Sequence, residues 1–156
     1  MVSIESLRTS ELFAGLTDEE LALVAAKAAE ETYQAGDEIC SERGVADRLF
    51  ILQCGRVEVC IHLRSSASPD CCVTVEEMER GRIFGWSSLV KQRRFTASAR
   101  AIEPVRLITL HADEANALFD ENAHIGFVVM KQLAEVVASR LQHTRELLEE
   151  QAPGAA

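Results

Sequence analysis

The feature that most constrains this chain is a succession of short β-type segments between residues 31 and 111. Seven segments rich in Val, Ile, Thr and Phe occur there, at residues 31–34, 38–40, 48–53, 56–63, 72–78, 96–101 and 105–111. Turn residues separate them, with glycines such as Gly36, Gly55 and Gly81. In the fourth segment apolar residues alternate with Glu58 and His62, which is typical of a strand with one face in water. Many short strands at this spacing predict a β-sandwich or barrel.

Helices are predicted on both sides of the strands. Residues 9–30 are expected to contain two helical pieces, because Thr17 and Glu20 have the spacing of a capping box and a helical apolar pattern follows them. Beyond the strands we expect a short helix over 112–122, a long helix over 124–151 and a disordered tail at 152–156. A chain of 156 residues then forms one domain.

A heptad-like series of apolar and small residues follows the predicted long helix: Gly126, Met130, Leu133, Val137, Leu141, Thr144 and Leu148. Such a series suits a partner helix, and the alternative is that it packs on the chain's own barrel. A helix of about 28 residues extends ~42 Å, which is longer than a small barrel is wide. We therefore expect a homodimer, with Met130, Leu133, Val137, Leu141 and Leu148 in its interface.

The charge of the chain argues against nucleic acid as a partner. It has 25 acidic and 16 basic residues and a net charge of −9, whereas DNA-binding domains need clustered Lys and Arg. No apolar run reaches the roughly 18 residues that span a bilayer, and the N-terminus has no signal-peptide pattern. The sequence therefore predicts a cytoplasmic protein that binds neither DNA nor a membrane.

The cysteines are interpreted as free thiols. There are five of them, an odd number, and no C-x-x-C pair occurs: Cys40, Cys54, Cys60, Cys71 and Cys72. Without a secretory context this pattern argues against a disulfide framework. We expect most of the thiols to pack as small apolar residues.

Several short motifs occur in order along the chain: Leu12-Phe13-x-Gly15-Leu16, Tyr33-x-x-Gly36-Asp37-x-Ile39, Leu49-Phe50-Ile51-Leu52-x-x-Gly55-x-Val57-x-Val59, Gly81-x-x-Phe84-Gly85 and Thr96-Ala97-x-Ala99-x-Ala101. Together they resemble the cyclic nucleotide-binding domain of the Crp/Fnr regulators, over nearly the whole chain. The resemblance implies a mostly β fold with helices. Its core would be a double-stranded β-helix (jelly-roll) barrel, flanked by N-terminal helices and a long C-terminal helix.

The resemblance also implies where a ligand would bind. The pocket positions that it indicates are Phe84, Gly85, Trp86, Ser87, Ser88, Leu89, Arg94, Phe95, Thr96 and Ala97. In the family, the short helix after Gly85 cradles the cyclic phosphate and the ribose, and the free N–H groups of a helix N-terminus suit an anion.

Two of these positions depart from the family pattern. Where the family has a Glu that holds the ribose hydroxyl this chain has Trp86, and where it has an Arg that holds the phosphate this chain has Phe95. Losing two charge-assisted hydrogen bonds costs ~3–6 kcal/mol, or about two to four decades of affinity. Cyclic AMP and cyclic GMP are therefore disfavoured as ligands. The two aromatic rings would either stack on a flat or apolar ligand or fill the cavity themselves.

A basic cluster beside this pocket leaves two interpretations open. Lys91, Arg93 and Arg94 are close together in an otherwise acidic chain. They are either a solvated loop tip or a rim that attracts an anion, with Arg94 replacing the lost phosphate ligand if the loop bulges. A one-residue offset on a regular strand would turn Arg94 to the opposite face.

The favoured hypothesis is a stand-alone regulatory module that binds a small ligand in its barrel and signals through the C-terminal helix. Because only about five residues follow that helix, we expect the output to be another protein. The alternative is a structural or interaction domain with an aromatic-filled barrel. No pattern of catalytic or metal-ligating residues, such as the His-x-His of metal-binding barrel enzymes, supports an enzyme.

Overall fold

A computed structural model describes residues 2–62, 72–91 and 94–151 of the chain. Two helices, α1 (Ile4–Arg8) and α2 (Asp18–Lys27), precede the strands. The strands are β1 (Ala29–Tyr33), β2 (Glu38–Cys40), β3 (Arg48–Cys54), β4 (Val57–His62), β5 (Cys72–Met78), β6 (Ile83–Phe84), β7 (Ser98–Ala101) and β8 (Val105–His111). A 3₁₀ helix (Trp86–Leu89) lies between β6 and β7, and helices α3 (Ala112–Glu121) and α4 (Ala123–Gln151) follow β8.

The strands form two antiparallel four-stranded sheets, in the orders β1-β8-β3-β6 and β2-β7-β4-β5. In the first sheet β8 lies between β1 and β3, with Leu107 opposite both Glu31 and Leu52. In the second sheet β4 lies between β7 and β5. Apart from the β4–β5 hairpin, successive strands alternate between the two sheets. This is the jelly-roll arrangement, and the predicted fold class is confirmed.

Some elements differ from the sequence prediction. Two helical pieces were predicted within 9–30, but α1 ends at Arg8 and only α2 lies in that range. Strand β6 was not predicted, because two residues are too few to show an alternating pattern. Strands β2, β5 and β8 have the expected bounds. The capping box at the start of α2 is present, with Glu20 N donating to Thr17 Oγ1 and Thr17 N donating to Glu20 Oε1. The predicted tail at 152–156 lies outside the described residues.

Two apolar clusters hold the domain together. One lies inside the barrel, around Phe50, Leu52 and Leu107. The other joins the first sheet to the helices, and the first half of α4 contributes a buried stripe to it: Ile125, Val129, Leu133 and Val136. The assignment of Leu133 to a dimer interface is therefore wrong. Its side chain is 4% exposed, because it lies on the face of α4 that packs on its own domain.

The interpretation of all five cysteines as free thiols is also wrong. Cys60 of β4 and Cys72 of β5 form a disulfide that joins neighbouring strands, with Cα atoms 5.7 Å apart. Sequence spacing did not reveal the pair, because the two cysteines come together only through the register of the hairpin. Cys40 is a buried thiol and Cys54 an exposed one, whereas Cys71 lies outside the described residues.

Candidate ligand-binding site

A cavity of about 300 Å³ lies between the second sheet and the second half of α4. Its barrel wall is mostly apolar and includes residues of neighbouring strands: Val59 and Ile61 of β4, and Val75 and Met78 of β5. Glu76 of β5 also lines it. Side chains of α4 form the facing wall: Val137, Arg140, Leu141, His143 and Thr144. This volume lies at the lower end of the range of small-molecule sites in proteins, and the apolar lining is typical of them.

The base of the cavity is formed by the turn that begins at Gly85. This residue has φ 75° and is the N-cap of the 3₁₀ helix. A Cβ atom here would lie 2.8 Å from Arg48 O and 2.9 Å from the ring of Phe50, so only glycine fits. The turn brings Trp86 and Ser87 to the cavity wall.

Seven of the ten predicted pocket positions line the cavity: Phe84, Gly85, Trp86, Ser87, Phe95, Thr96 and Ala97. The other three do not. Ser88 and Leu89 are buried, Leu89 within the core that joins the barrel to the helices.

Arg94 is the third position outside the cavity. It is exposed, its residue forms an isolated β-bridge with Val45, and its Nη1 donates to Arg43 O at 3.2 Å. Arg94 therefore does not lie where it could replace the lost phosphate ligand. Arg93 lies outside the described residues.

The aromatic residues line the cavity without closing it. Phe50 and Phe84 are stacked with ring centroids 4.9 Å apart, and the centroid of Phe95 lies 6.4 Å from that of Phe50. Trp86 is half-buried and also lines a shallow apolar groove together with Met130 and Ala134 of α4. Phe84, Trp86 and Phe95 thus form part of the cavity wall, whereas Phe50 is buried in the barrel core. The space in front of the lining rings is open.

Arg140, which was not predicted as a site residue, lines the cavity from α4. Its Nη2 donates to Ile83 O and lies 3.7 Å from Met78 Sδ. A signal was present in the sequence, since Arg140 continues the inward stripe of Leu133, Val136 and Val137 at helical spacing. An arginine on the inward face of an amphipathic helix indicates a buried polar contact.

Arg140 belongs to a chain of charged groups that joins three parts of the fold. Arg82 contacts Glu11 through Nε at 2.8 Å and Glu76 through Nη2. Arg140 lies farther from both carboxylates, with Nε 3.4 Å from Glu76 and Nη2 3.8 Å from Glu11. Burial lowers the pKa of Arg140, and the attraction of Glu76 and Glu11 offsets this only in part.

Two further features of the described residues bear on chemistry. The Cys40 thiol lines the cavity, and burial raises its pKa to about 12, so it is protonated at neutral pH. Among residues 2–62, 72–91 and 94–151, no cluster of His, Cys, Asp or Glu is suited to hold a metal ion. In the same residues, no helix is both long and apolar enough to cross a bilayer.

Comparison with known proteins agrees with this architecture. The model of the cyclic nucleotide-binding domain family matches residues 30–122, more than half of the chain. The chain belongs to that family. A solved structure from Geobacter metallireducens, described as a cyclic nucleotide-binding protein, is similar to this domain at 37% identity with a TM-score of 0.75. The match covers 90% of this chain and 99% of that one.

Other members of the cyclic nucleotide-binding family are larger. The catabolite activator protein of Thermus thermophilus is 26% identical with a TM-score of 0.73, over 91% of this chain and 63% of its own. The cGMP-dependent protein kinase isozyme 1 of Drosophila melanogaster is 28% identical over 120 residues, which are 76% of this chain and 15% of the kinase. This chain therefore corresponds to a small part of that kinase, and the family supports a regulatory ligand-binding domain.

Proposed function

We propose that this domain is a regulatory module that binds a small ligand in its cavity and transmits occupancy through α4 to another protein. The observation that carries the proposal is the position of the cavity, which the barrel and α4 enclose together. A ligand there must contact both, so its binding energy depends on how α4 lies. The open volume in front of Trp86 and Phe95 favours binding over the alternative of an aromatic-filled barrel.

Two contacts support α4 as the responding element. Arg140 donates to Ile83 O, and His143 Nε2 lies 3.1 Å from Val75 O. Both connect the second half of α4 to strands that bound the cavity. A ligand that alters either contact changes how this half of the helix is held.

The proposal is tested by titrating the domain with small molecules while following the fluorescence of Trp86 and amide hydrogen exchange along α4. Trp86 is the only tryptophan and lines the cavity. We expect a ligand that changes its fluorescence to change exchange after Val137 as well. Binding without any change in α4 would show that the helix does not report occupancy.

For cyclic AMP and cyclic GMP we expect dissociation constants no better than about 100 μM. Trp86 and Phe95 line the cavity where the resemblance implies a Glu and an Arg. The double variant Trp86→Glu, Phe95→Arg should gain cyclic nucleotide binding in titration calorimetry. The control is Thr96→Ser, which leaves both aromatic rings in place. Micromolar binding by the parent protein would contradict this part of the proposal.

We propose that the module is a homodimer without catalytic activity. It acts on another protein in the cytoplasm and not on DNA. Support for the dimer comes from apolar side chains that α4 exposes: Phe127 (66%), Met130 (36%), Leu141 (69%) and Leu148 (66%). Val137 is half-buried between them. Exposed apolar residues in a row along one helix are typical of an association surface.

A further inference from the structure

Arg140 is the only arginine or lysine among the described residues that line the cavity. Its side chain is 14% exposed, although it carries a charge. Burying a cation is costly unless carboxylates or other acceptors contact it closely. The contacts of Arg140 therefore show whether the protein itself supplies enough compensation.

The protein compensates for the buried charge of Arg140 only in part. Glu11 and Glu76 make their closest ion pairs with Arg82, and Arg140 lies 3.4 Å from Glu76 and 3.8 Å from Glu11. The Nε of Arg140 is buried and has no hydrogen-bond partner within the part of the chain that the structure describes. One neutral acceptor, Ile83 O, receives Nη2. The exposed part of the Arg140 side chain lines the cavity, so an anion in the cavity can add a charge-assisted hydrogen bond to the guanidinium.

We propose that the ligand of this cavity is a small organic anion with a flat, apolar body, and that its anionic group binds Arg140. This inference rests on the proposed function, since it names the class of ligand for the same cavity. The body would lie against Val59, Phe84, Trp86 and Phe95, which line the barrel side. The ligand's charge then faces α4, the opposite of the arrangement that the family resemblance implies.

The charges around the cavity disfavour a cationic ligand. Glu76 is the only carboxylate among the described lining residues, and Arg82 already contacts it. A cation would therefore meet a guanidinium first and a carboxylate whose charge is already paired. An anion on Arg140 would also connect the ligand directly to α4, the helix that the proposed function requires to respond.

The test compares two probes of the same shape, 1-naphthoate and the neutral 1-naphthalenemethanol, by titration calorimetry with the wild-type domain. Cyclic AMP and cyclic GMP are titrated in parallel, because a cyclic phosphate is another source of the anion. We expect naphthoate to bind about 10-fold tighter than the alcohol. In Arg140→Gln that preference should disappear while the affinity for the alcohol stays unchanged. Arg94→Gln, at an exposed position outside the cavity, is the matched control and should keep the preference.

The possible outcomes separate this inference from the proposed function. If both naphthalene probes bind the wild-type protein equally, the anion inference is overturned, whereas the proposal that the cavity binds a small ligand is supported. This comparison needs no variant, so a misfolded Arg140→Gln would not prevent it. Cyclic nucleotide binding that weakens in Arg140→Gln supports the inference with a cyclic phosphate as the anion, and binding that does not weaken overturns it. If none of the four compounds binds at millimolar concentration, the proposed function and the inference both fail.

Discussion

The two halves of α4 differ in what they contact, although they form one continuous helix of 29 residues. The first half buries Ile125, Val129 and Leu133 in the core that joins the helices to the first sheet. The second half covers the cavity with Arg140 and Thr144, and it exposes Leu141 and Leu148 to solvent. One half is held by apolar burial, and the other by a few polar contacts.

We infer from this difference that the first half of α4 stabilises the fold and the second half responds to a ligand. Apolar burial stabilises the first half at about 1.5–3 kcal/mol for each large side chain. Single polar contacts such as those of His143 contribute less, about 0.5–1.5 kcal/mol each. The second half can therefore change its contacts with the barrel while the first half keeps its place. Segments that respond to ligands are drawn from the less stable parts of a fold.

The largest effect is expected from a substitution in the first half of α4. Leu133→Ala should lower the free energy of unfolding by about 2–5 kcal/mol, because it removes buried methyl groups and leaves a cavity in the core. Urea unfolding followed by circular dichroism measures this. Leu147→Ala, in the second half of the same helix, is the matched control, because Leu147 is less buried than Leu133 and lies outside the cavity lining and the proposed interface. It should lower the free energy of unfolding clearly less than Leu133→Ala does. Equal effects of the two changes would contradict the claim that apolar burial holds the first half of α4 more firmly than the second.

Much of the fold could be predicted, because the alternating strands and the turn glycines are local features. Gly36, Gly55 and Gly81 all have positive φ, as the turn positions require. The Cys60–Cys72 disulfide could not be predicted, since it depends on the pairing of β4 with β5. The error at Leu133 has a similar origin. A heptad pattern shows which residues are spaced for packing, but not which surface they pack on.

The site could be predicted only on its barrel side. Trp86 and Phe95 could be located because Trp86 directly follows one motif and Phe95 directly precedes another, and both line the cavity. Arg140 was missed because its position depends on the angle at which α4 crosses the second sheet. The direction of the Arg94 side chain could not be predicted, because a regular strand and a bulge predict opposite directions for it. The structure places Arg94 outside the cavity.

The next largest effect is expected from substitutions on the exposed face of α4, which we propose as an association surface. The double variant Phe127→Glu, Leu148→Glu should weaken the proposed dimer roughly 100-fold or more, because each subunit would lose two apolar contacts and gain two charges. Light scattering at tens of micromolar should then give a folded monomer. Leu23→Glu, an exposed position on α2, is the control and should leave the dimer intact. A wild-type protein that is monomeric at this concentration would contradict the proposed dimer.

The smallest effect concerns how the second half of α4 is held to the barrel. His143 Nε2 lies 3.1 Å from Val75 O on an exposed surface, and a single contact of this kind is weak because water competes for both groups. His143→Ala should therefore speed amide hydrogen exchange in the residues after Arg140 by about two- to threefold, with no change around Val129. Gln142→Ala is the matched control, because the Gln142 side chain donates to Glu146 on the same helix. This variant shares the gain in helix propensity that comes with alanine. Faster exchange in His143→Ala alone would show that the barrel contact holds this half in place. Equal exchange in the two variants would mean that Arg140 and the apolar residues hold it without help from His143.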